Sequence, residues 1–288
     1  FDNANSWVIL SPIEQRIKRK IEEQGTPLKD WDINIYRGVL TGCNEAFIIE
    51  TTKRDEILNN CSTEDERKRT AELIRPILRG RDIKRYSYEW ANLWLIWIPW
   101  HFPLHLDSSI QGASDKAEKE FQKQYSAVYS HLLGYKKKLS ARNKAETGIR
   151  YEWYALQRWG ANYWEDFSKQ KILYQELTQG SCFMLDEKAK YMISNTGYLL
   201  TGNNLFYILK LLNSKFIEFC FGRFYATQLG EKGIRWLAQN IENLPLPKYE
   251  STDIQKQIEN TRDEQEISRL IYQLYYLNQD EIAFIENH

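Results

Sequence analysis

The chain has 288 residues, carries 39 basic and 39 acidic side chains, and is 42% hydrophobic and 14% aromatic. This composition excludes a disordered chain, and the length allows one large domain or two smaller ones. No stretch approaches the roughly 18 consecutive apolar residues of a transmembrane helix, so a bilayer-spanning protein is also excluded.

The net charge of zero hides an uneven distribution along the chain. Residues 249–288 hold three basic and nine acidic residues, a balance of -6, so residues 1–248 carry +6. Between Arg67 and Arg85 there are eight basic and two acidic residues, and between Leu132 and Trp159 there are seven and two. Clustered positive charge set apart from acidic charge is typical of a nucleic-acid-binding surface.

The first element is an amphipathic helix over residues 12–24. Ser11-Pro12-Ile13-Glu14 is a capping box with proline at the first helical position, and Gly25 ends the apolar pattern. Trp31 to Arg37 then alternates apolar and polar residues, and Ala46 to Glu50 forms a second apolar run. We predict a β-hairpin or a sharp strand-to-strand corner here.

Between those two runs lies Arg37-Gly38-Val39-Leu40-Thr41-Gly42-Cys43-Asn44, which has the composition of a tight turn. Such a turn exposes main-chain N–H groups that suit phosphates or base edges, although its glycines and Asn44 are equally compatible with a purely structural turn. About twenty-five residues later, Ile74 to Tyr86 presents several arginines around Gly80. Within it, Arg79 and Asp82 have the spacing of a structural ion pair.

The middle of the chain is predicted to contain helices and short strands. Residues 54–79 are mostly helical and interrupted at Pro76, and Tyr88 to Trp100 is a buried strand. Residues 107–150 become polar and basic, which indicates a helix followed by a mobile loop. Three short strands that form a meander are expected at Lys171–Glu176, Cys182–Asp186 and Lys190–Ile193.

The last part of the chain is predicted to be helical. Asn204 can cap a helix with an apolar face that ends at Gly222. After Leu244-Pro245-Leu246-Pro247, two acidic helices are expected over residues 251–277 and 279–286.

Motifs for catalysis are absent from the sequence. It contains no G-x-x-x-x-G-K-[ST] or G-x-G-x-x-G phosphate loop and no G-x-S-x-G nucleophile elbow. The four cysteines form no C-x-x-C pair, and the prolines around His101 and His105 argue against a helical zinc pair. We therefore expect no catalytic residue and no metal site in this chain, with reduced thiols in a cytosolic protein.

Five blocks in order resemble the TaqI-like C-terminal specificity domain of adenine DNA methyltransferases and of restriction enzymes that fuse a methyltransferase with a nuclease. The blocks are Gly38–Phe47, Ile77–Tyr86, Lys171–Tyr174, Leu212–Lys215 and Asn243–Pro247, followed by Ile271–Leu277 and Asp280–Ile282. The resemblance implies a domain that reads a specific double-stranded DNA sequence for a separate catalytic domain. The Asn-Pro-Pro-Tyr/Phe motif and the S-adenosylmethionine loop of the family's methyltransferases are missing, so we expect the catalytic part upstream of Phe1.

The resemblance also implies partners and a localisation. The partners are double-stranded DNA and an upstream methyltransferase or nuclease domain of the same polypeptide, in a cytoplasmic protein of prokaryotic type. S-adenosylmethionine, with or without Mg²⁺, would be bound by that catalytic part, and no cofactor is expected in residues 1–288.

The basic clusters supply candidate DNA contacts for such a domain. Lysine and arginine contacts to phosphates provide affinity, and arginine, asparagine or glutamine side chains read base edges. The phosphate candidates are Lys84, Arg85, Lys136, Lys137, Lys138 and Arg142. The base-reading candidates are Asn44, Arg81, Arg158, Gln228 and Arg235.

The expected fold class is α+β, with a mixed or antiparallel sheet in the target-recognition domain and flanking helices that include an acidic C-terminal pair. The expected divisions are an N-terminal linking helix (1–25), the first half of the recognition domain (26–106), a polar basic insertion or linker (107–150), the second half (151–250) and C-terminal helices (251–288). Two alternatives stay open: a protein-interaction scaffold that docks a partner through aromatic surface and acidic helices, and a nuclease with an unrecognised metal site.

Overall fold

The computed structural model describes residues 10–226 and 233–288. Its helices are α1 (Pro12–Gln24), α2 (Asn44–Phe47), α3 (Thr51–Asn59), α4 (Glu64–Leu73), α5 (Asp115–Gln124), α6 (Ser126–Leu133), α7 (Lys136–Ser140), α8 (Leu205–Leu212), α9 (Lys215–Cys220), α10 (Ala238–Ile241), α11 (Asp253–Asn260), α12 (Glu264–Leu274) and α13 (Gln279–Glu286). Its strands are β1 (Thr26–Pro27), β2 (Ile33–Arg37), β3 (Ile48–Glu50), β4 (Ile74–Leu78), β5 (Ile83–Lys84), β6 (Ser87–Tyr88), β7 (Leu93–Ile96), β8 (Lys171–Gln175), β9 (Leu177–Thr178), β10 (Phe183–Asp186), β11 (Met192–Ile193), β12 (Gly197–Gly202), β13 (Ile234–Arg235) and β14 (Pro245–Leu246).

Two four-stranded sheets organise the described parts of the chain. The first has the order β10-β8-β12-β2 and is antiparallel throughout. The second has the order β11-β4-β7-β3, in which β11 runs parallel to β4. The short turn from β11 to β12 therefore carries the chain from one sheet to the other. This confirms the predicted α+β class with mixed and antiparallel strands.

Each sheet contributes to its own hydrophobic core. The first core joins the β11-β4-β7-β3 sheet to α5, α6 and α7. The second joins β8, β10 and β12 to α1, α8, α9 and the C-terminal helices. Because Ile193 of β11 belongs to the first core and Tyr198 of β12 to the second, the turn between these strands lies where the two cores meet.

The N-terminal helix was predicted with its correct bounds. Ser11 accepts a hydrogen bond from the Glu14 backbone N–H, and the Glu14 side chain accepts one from the Ser11 N–H, so the capping box forms as its sequence indicates. Ile17 and Ile21 are fully buried in the second core. Local hydrogen bonds and one apolar stripe suffice to fix this element.

Of the two alternatives predicted for residues 31–50, a β-hairpin or a strand-to-strand corner, the β-hairpin is wrong. The strand β2 pairs with β12 in the first sheet, whereas β3 pairs with β7 in the second. The segment between them crosses from sheet to sheet instead of turning back.

Residues 54–79 also differ from the prediction. They form α3 and α4 and then the strand β4, which contains Pro76. Pro76 faces Trp94 of β7, and on its other side β11 pairs only with Ile77 and Leu78, so no ladder hydrogen bond needs a proline N–H there. The buried strand expected at Tyr88–Trp100 is limited to Leu93–Ile96.

The polar stretch at 107–150 contains three helices rather than a helix and a loop. Phe121, Val128, Leu132 and Leu139 are fully buried in the first core. The polar residues dominate the composition because only one face of each short helix is covered. A low density of apolar residues therefore concealed well-packed helices.

The three predicted strands at 171–193 do not form one meander. The strands β8 and β10 are antiparallel neighbours, but β11 joins the other sheet beside β4. The predicted helix after Asn204 is divided into α8 and α9, and the Asn204 side chain caps neither, since its backbone is left-handed with φ 57°. The acidic tail forms three helices, because Asp263 caps a separate α12 after a break at residues 261–263.

Candidate nucleic-acid interface

The turn at residues 194–197 brings together the two sequence blocks that first suggested nucleic acid. From the first block, the N–H of Gly38 donates to the carbonyl of Gly197 (3.0 Å), and the N–H of Val39 donates to that of Ile193 (2.9 Å). From the second block, the N–H of Gly80 donates to Oγ1 of Thr196 (2.9 Å). The blocks thus flank one turn although about 40 residues separate them in sequence.

The glycines of these blocks are required by close backbone approach. A Cβ atom at Gly38 would lie 2.2 Å from the carbonyl oxygen of Ser194, and one at Gly80 would lie 2.6 Å from that of Thr196. Both glycine N–H groups donate within the chain, so they are not available for phosphates as the sequence had suggested. Gly42, with φ +73°, supplies the one left-handed position of the first block.

An arginine–glutamate–arginine cluster lies beside this turn. Arg37 donates from Nη2 to Oε2 of Glu176 (2.9 Å), and Arg235 donates from Nε and Nη2 to Oε1 of the same carboxylate (2.9 and 2.7 Å). Arg37 also donates from Nε to the carbonyl of Asn195 in the turn (2.9 Å). The arginine side chains are 55% and 47% exposed, whereas that of Glu176 is 14% exposed. A nearly buried carboxylate therefore holds two accessible guanidinium groups.

A second cluster of the same composition surrounds Glu146. Arg158 donates from Nη1 and Nη2 to the two oxygens of Glu146 (2.9 and 3.0 Å), and Arg150 donates from Nη1 to Oε1 (3.1 Å). The hydrogen bond from Arg158 is the main cause that lowers the pKa of Glu146. The backbone of Arg158 exchanges two hydrogen bonds with Leu40, both 2.9 Å, so this cluster adjoins the first block as well.

The far end of the first block meets the lysine run of α7. Lys138 donates to Oε1 of Glu45 (2.7 Å), which lowers the pKa of Glu45 and raises that of Lys138. Asn44 is exposed and accepts from the Thr41 hydroxyl at its Oδ1 (2.6 Å). Lys136 lies 3.7 Å from Glu118 and over the Trp153 ring, and Lys137 is exposed without a polar partner among residues 10–226 and 233–288.

Arg142 has a different environment from the other phosphate candidates. Its guanidinium donates to the carbonyls of Leu139, Thr41, Trp153 and Ala155, at 2.7 to 2.9 Å. Burial lowers its pKa. All its donating nitrogens are therefore engaged in joining the first block to residues 153–155, which gives Arg142 a structural function.

On either side of Gly80, the second block has one arginine that forms an ion pair and one that forms none in the described part of the chain. Arg79 and Asp82 form the expected ion pair, with Nε–Oδ2 and Nη2–Oδ1 distances of 2.9 and 2.7 Å. Burial alone would raise the pKa of Asp82, but the hydrogen bonds from the Arg79 side chain and N–H lower it. Arg81, one residue after Gly80, is exposed and its side chain has no polar partner within the described ranges.

Lys84 and Arg85 face acidic residues. Lys84 lies 3.5 Å from Glu89, and Arg85 donates to Glu264 at the start of α12 (2.8 Å). Next to Arg85 is a cavity of about 680 Å³, whose lining includes Tyr86, Lys210 and Arg262. The acidic C-terminal helices thus approach the basic block and neutralise part of it.

No group of three or more His, Cys, Asp or Glu side chains suited to a metal ion occurs among residues 10–226 and 233–288. His101 contacts Glu152 through Nδ1 at 3.0 Å, and the His105 ring is mostly buried, which lowers its pKa. Gln228, one of the base-reading candidates, lies outside the described residues. Within the described ranges, no helix is long and apolar enough to cross a membrane.

The family model of the TaqI-like C-terminal specificity domain matches residues 75–246, more than half of the chain. The chain belongs to this family. The matched range contains Ile77–Tyr86 of the second block, the 194–197 turn, Glu176 and Arg235, whereas the first block precedes it. The resemblance inferred from the sequence is therefore confirmed.

Relatives and solved structures agree with this membership. The type II methyltransferase M.BstVI of Geobacillus stearothermophilus is 22% identical over 296 residues, which cover 100% of this chain and 47% of that protein. The type IIG restriction endonuclease BpuSI has a similar fold, with a TM-score of 0.56 at 15% identity over 96% of this chain and 31% of that one. The type IIL restriction-modification enzyme MmeI, solved in complex with DNA, gives a TM-score of 0.53 at 14% identity over 91% and 36%. The chain spans about half the length of its curated relative and about a third of the solved ones.

In this specificity domain, the structure groups candidates that the sequence left scattered. Residues 37–45, which we call the 37–45 edge, include Asn44 and contact Arg158 and Lys138 directly, and Arg37 at their start shares Glu176 with Arg235. Sequence reasoning did not select Arg37 as a contact residue, although it begins the first block, and it gave no sign of Glu176. Only the charge pairing around Glu176 identifies these two residues, because they are 139 positions apart.

Proposed function

We propose that this chain reads a specific sequence in double-stranded DNA as the specificity domain of a restriction-modification enzyme. The enzyme would be an adenine DNA methyltransferase, with or without a fused endonuclease. One observation carries the proposal: exposed Arg37 and Arg235, from distant parts of the chain, meet at Glu176 beside the turn that the family-matched block flanks. An accessible arginine pair held by one carboxylate is a suitable surface for base edges and phosphates.

The candidate residues fall into groups according to which of their side-chain donors remain free to contact DNA. Lys136, Lys137 and Lys138 form an exposed cationic run at one end of the 37–45 edge and suit phosphates. Lys84 and Arg85 would also contact phosphates, once released from Glu89 and Glu264. Asn44, Arg81 and Arg235 keep donors for base edges. Arg142 and Arg158 are assigned to holding the fold, because Arg142 donates from all three nitrogens and the Nη1–Nη2 end of Arg158 is bound to Glu146.

The catalytic steps belong to another part of the whole protein in this proposal. S-adenosylmethionine supplies the methyl group in methyltransferase chemistry, and this chain has no glycine-rich loop to which we could assign it. The specificity domain grips the duplex so that the target base can be extruded into the catalytic pocket. Its own contribution is therefore binding and register.

Binding measurements test the proposal directly. The full chain, alone and within its whole protein, would be incubated with a pool of randomised duplexes, and bound sequences would be determined. We expect one enriched sequence and an affinity that falls steeply with salt. An unenriched pool from the whole protein would contradict the proposal.

Two further measurements address the alternatives. Charge reversal by Arg81→Glu and Lys84→Glu weakens DNA binding if these residues face the duplex, whereas unchanged binding favours an interaction scaffold. The apolar face of the acidic helices argues against that scaffold, since Ile258, Ile267, Leu270 and Ile271 are buried in the second core. Incubation of the chain with Mg²⁺ and DNA tests the nuclease, and we expect uncut DNA.

A further inference from the structure

The two arginines at Glu176 present the same part of the guanidinium group to the protein. Arg235 donates from Nε and Nη2 to Oε1 of Glu176. Arg37 donates from Nη2 to Oε2 and from Nε to the carbonyl of Asn195. In the parts of the chain that the structure describes, Nη1 of neither residue has a hydrogen-bond partner. Both arginines are therefore held along the Nε–Nη2 side, which leaves Nη1 and the second N–H of Nη2 available at the end of the guanidinium group.

A free guanidinium end matches one base in particular. Guanine offers O6 and N7 as two neighbouring acceptors in the major groove, and arginine contacts them with two parallel hydrogen bonds. No other base presents two acceptors there. We infer that Arg37 and Arg235 each read a guanine in the major groove and that Glu176 is the residue that positions both. This inference rests on the proposed function and names the base that the site recognises.

Backbone hydrogen bonds and packing around Glu176 hold the two arginines in fixed positions. The carbonyl of Glu176 accepts a hydrogen bond from the N–H of Trp236 (2.7 Å), and Arg235 belongs to β13, which pairs with β9 immediately after Glu176. Trp236 is itself buried against Phe221, with ring centroids 4.1 Å apart. Side chains fixed before binding lose less conformational entropy when a base is bound.

The shared carboxylate also disfavours a phosphate contact at this site. One negative charge between two guanidinium groups reduces their attraction for a phosphate, which arginines and lysines bind chiefly through charge. Two directed hydrogen bonds to a neutral guanine depend less on net charge and more on orientation. The pairing therefore favours base reading over backbone binding.

Arg158 provides a matched control within the same chain. It is exposed and paired with a carboxylate, but it uses Nη1 and Nη2, the guanidinium end, to contact Glu146. A base could reach that end only after the ion pair breaks. We therefore expect no guanine contact from Arg158 in spite of its similar exposure and charge.

The test begins with the sequence that the full chain selects from randomised duplexes. Each guanine of that sequence is then replaced by 7-deazaguanine, which lacks N7 but keeps Watson–Crick pairing, and binding is followed by fluorescence anisotropy. We expect two guanine positions at which the replacement weakens binding roughly ten-fold. Arg37→Ala should abolish the effect of 7-deazaguanine at one position and Arg235→Ala at the other, while Arg158→Ala leaves both effects in place.

The positioning function of Glu176 has a separate readout. Glu176→Gln should reduce the preference for guanine over 7-deazaguanine while affinity for unrelated duplexes is kept or rises, because the arginines gain net charge and lose orientation. Glu146→Gln is the control and should leave the preference unchanged. A variant that merely unfolds would lose binding to every duplex and would be detected by circular dichroism.

Other outcomes overturn the inference. Selective binding that is insensitive to 7-deazaguanine would uphold DNA recognition but remove guanine reading by this pair. Uniformly weaker binding of Arg37→Ala and Arg235→Ala to all duplexes, with a salt dependence reduced by about one ion each, would make them phosphate contacts. Absence of any selected sequence would overturn the proposed function, and this inference with it.

Discussion

The guanidinium of Arg142 donates from Nη1 to the carbonyl of Thr41 at 2.7 Å, across 101 residues of sequence. Three further carbonyls accept from the same side chain. Thr41 follows the bridged residues Val39 and Leu40, so the hydrogen bonds of Arg142 hold this part of the 37–45 edge in position. A residue that composition placed among the DNA contacts thus has its donors directed into the protein.

Arg142→Ala should destabilise the fold by about 3 kcal/mol, because the buried carbonyls lose charge-assisted hydrogen bonds and cannot regain water. Urea denaturation followed by tryptophan fluorescence measures the change. Lys144→Ala, at an exposed neighbouring site, serves as control and should alter the free energy of unfolding by less than about 0.5 kcal/mol. Equal losses of stability for the two variants would contradict the structural function assigned to Arg142.

Gly38→Ala should also destabilise the protein, by about 1 to 3 kcal/mol, since its Cβ would lie 2.2 Å from the Ser194 carbonyl oxygen and 2.4 Å from that of Ile193. The backbone of the first block and the 194–197 turn would have to separate. Gly134→Ala is the matched control, because its Cβ would meet only the His131 oxygen at 3.4 Å. Thermal unfolding of both variants checks the prediction, which fails if Gly38→Ala unfolds like the wild type.

Lys171→Met should cost about 3 to 5 kcal/mol of stability. Lys171 is fully buried and donates to Oδ2 of Asp186 at 2.7 Å and to the carbonyl of Phe167 at 2.9 Å. Removing the ammonium leaves a buried carboxylate without its counter-charge. Chemical denaturation gives the loss, and the double variant Lys171→Met with Asp186→Asn should lose less than the sum of the two single variants.

Stability should fall in acid partly through Asp82. Its pKa is lowered in the folded state by Arg79, below the value of about 3.9 for an unfolded aspartate. The contribution is therefore complete above the unfolded pKa and is lost as the pH falls through the folded pKa. Asp82→Asn should be less stable than the wild type at pH 7, and the difference should shrink toward pH 2. A difference that is constant with pH would contradict this assignment.

Lys137→Ala should weaken DNA binding about equally for all sequences and reduce the slope of log affinity against log salt by about one. Lys137 is exposed and has no polar partner in the described ranges, so its charge is fully available. Lys18→Ala, on α1, removes an equally positive charge that pairs with Glu22 and should leave the slope unchanged. Equal slopes for all three proteins would exclude α7 from the DNA-binding surface.

Local rules explain which elements were predictable. The helix α1 was predicted because a capping box and an apolar stripe act within four residues. The Arg79–Asp82 pair was similarly close in sequence. The β-hairpin and the meander were wrong because strand pairing depends on partners that are distant in the sequence: β2 pairs with β12 and β3 with β7, and β11 pairs with β4.

The sequence by itself determined the family, the segregation of basic and acidic charge, and the α+β composition, since these depend on residue identity and order. Only the tertiary structure decided which arginines remain available. In the sequence, nothing separates Arg142, Arg158 and Arg235. In the structure, Arg142 donates to four carbonyls, Arg158 contacts Glu146 through Nη1 and Nη2, and Arg235 contacts Glu176 through Nε and Nη2. The physical reason is that a charge is satisfied by the nearest partner in space, and for Arg37 and Arg235 that partner, Glu176, is 139 and 59 positions away.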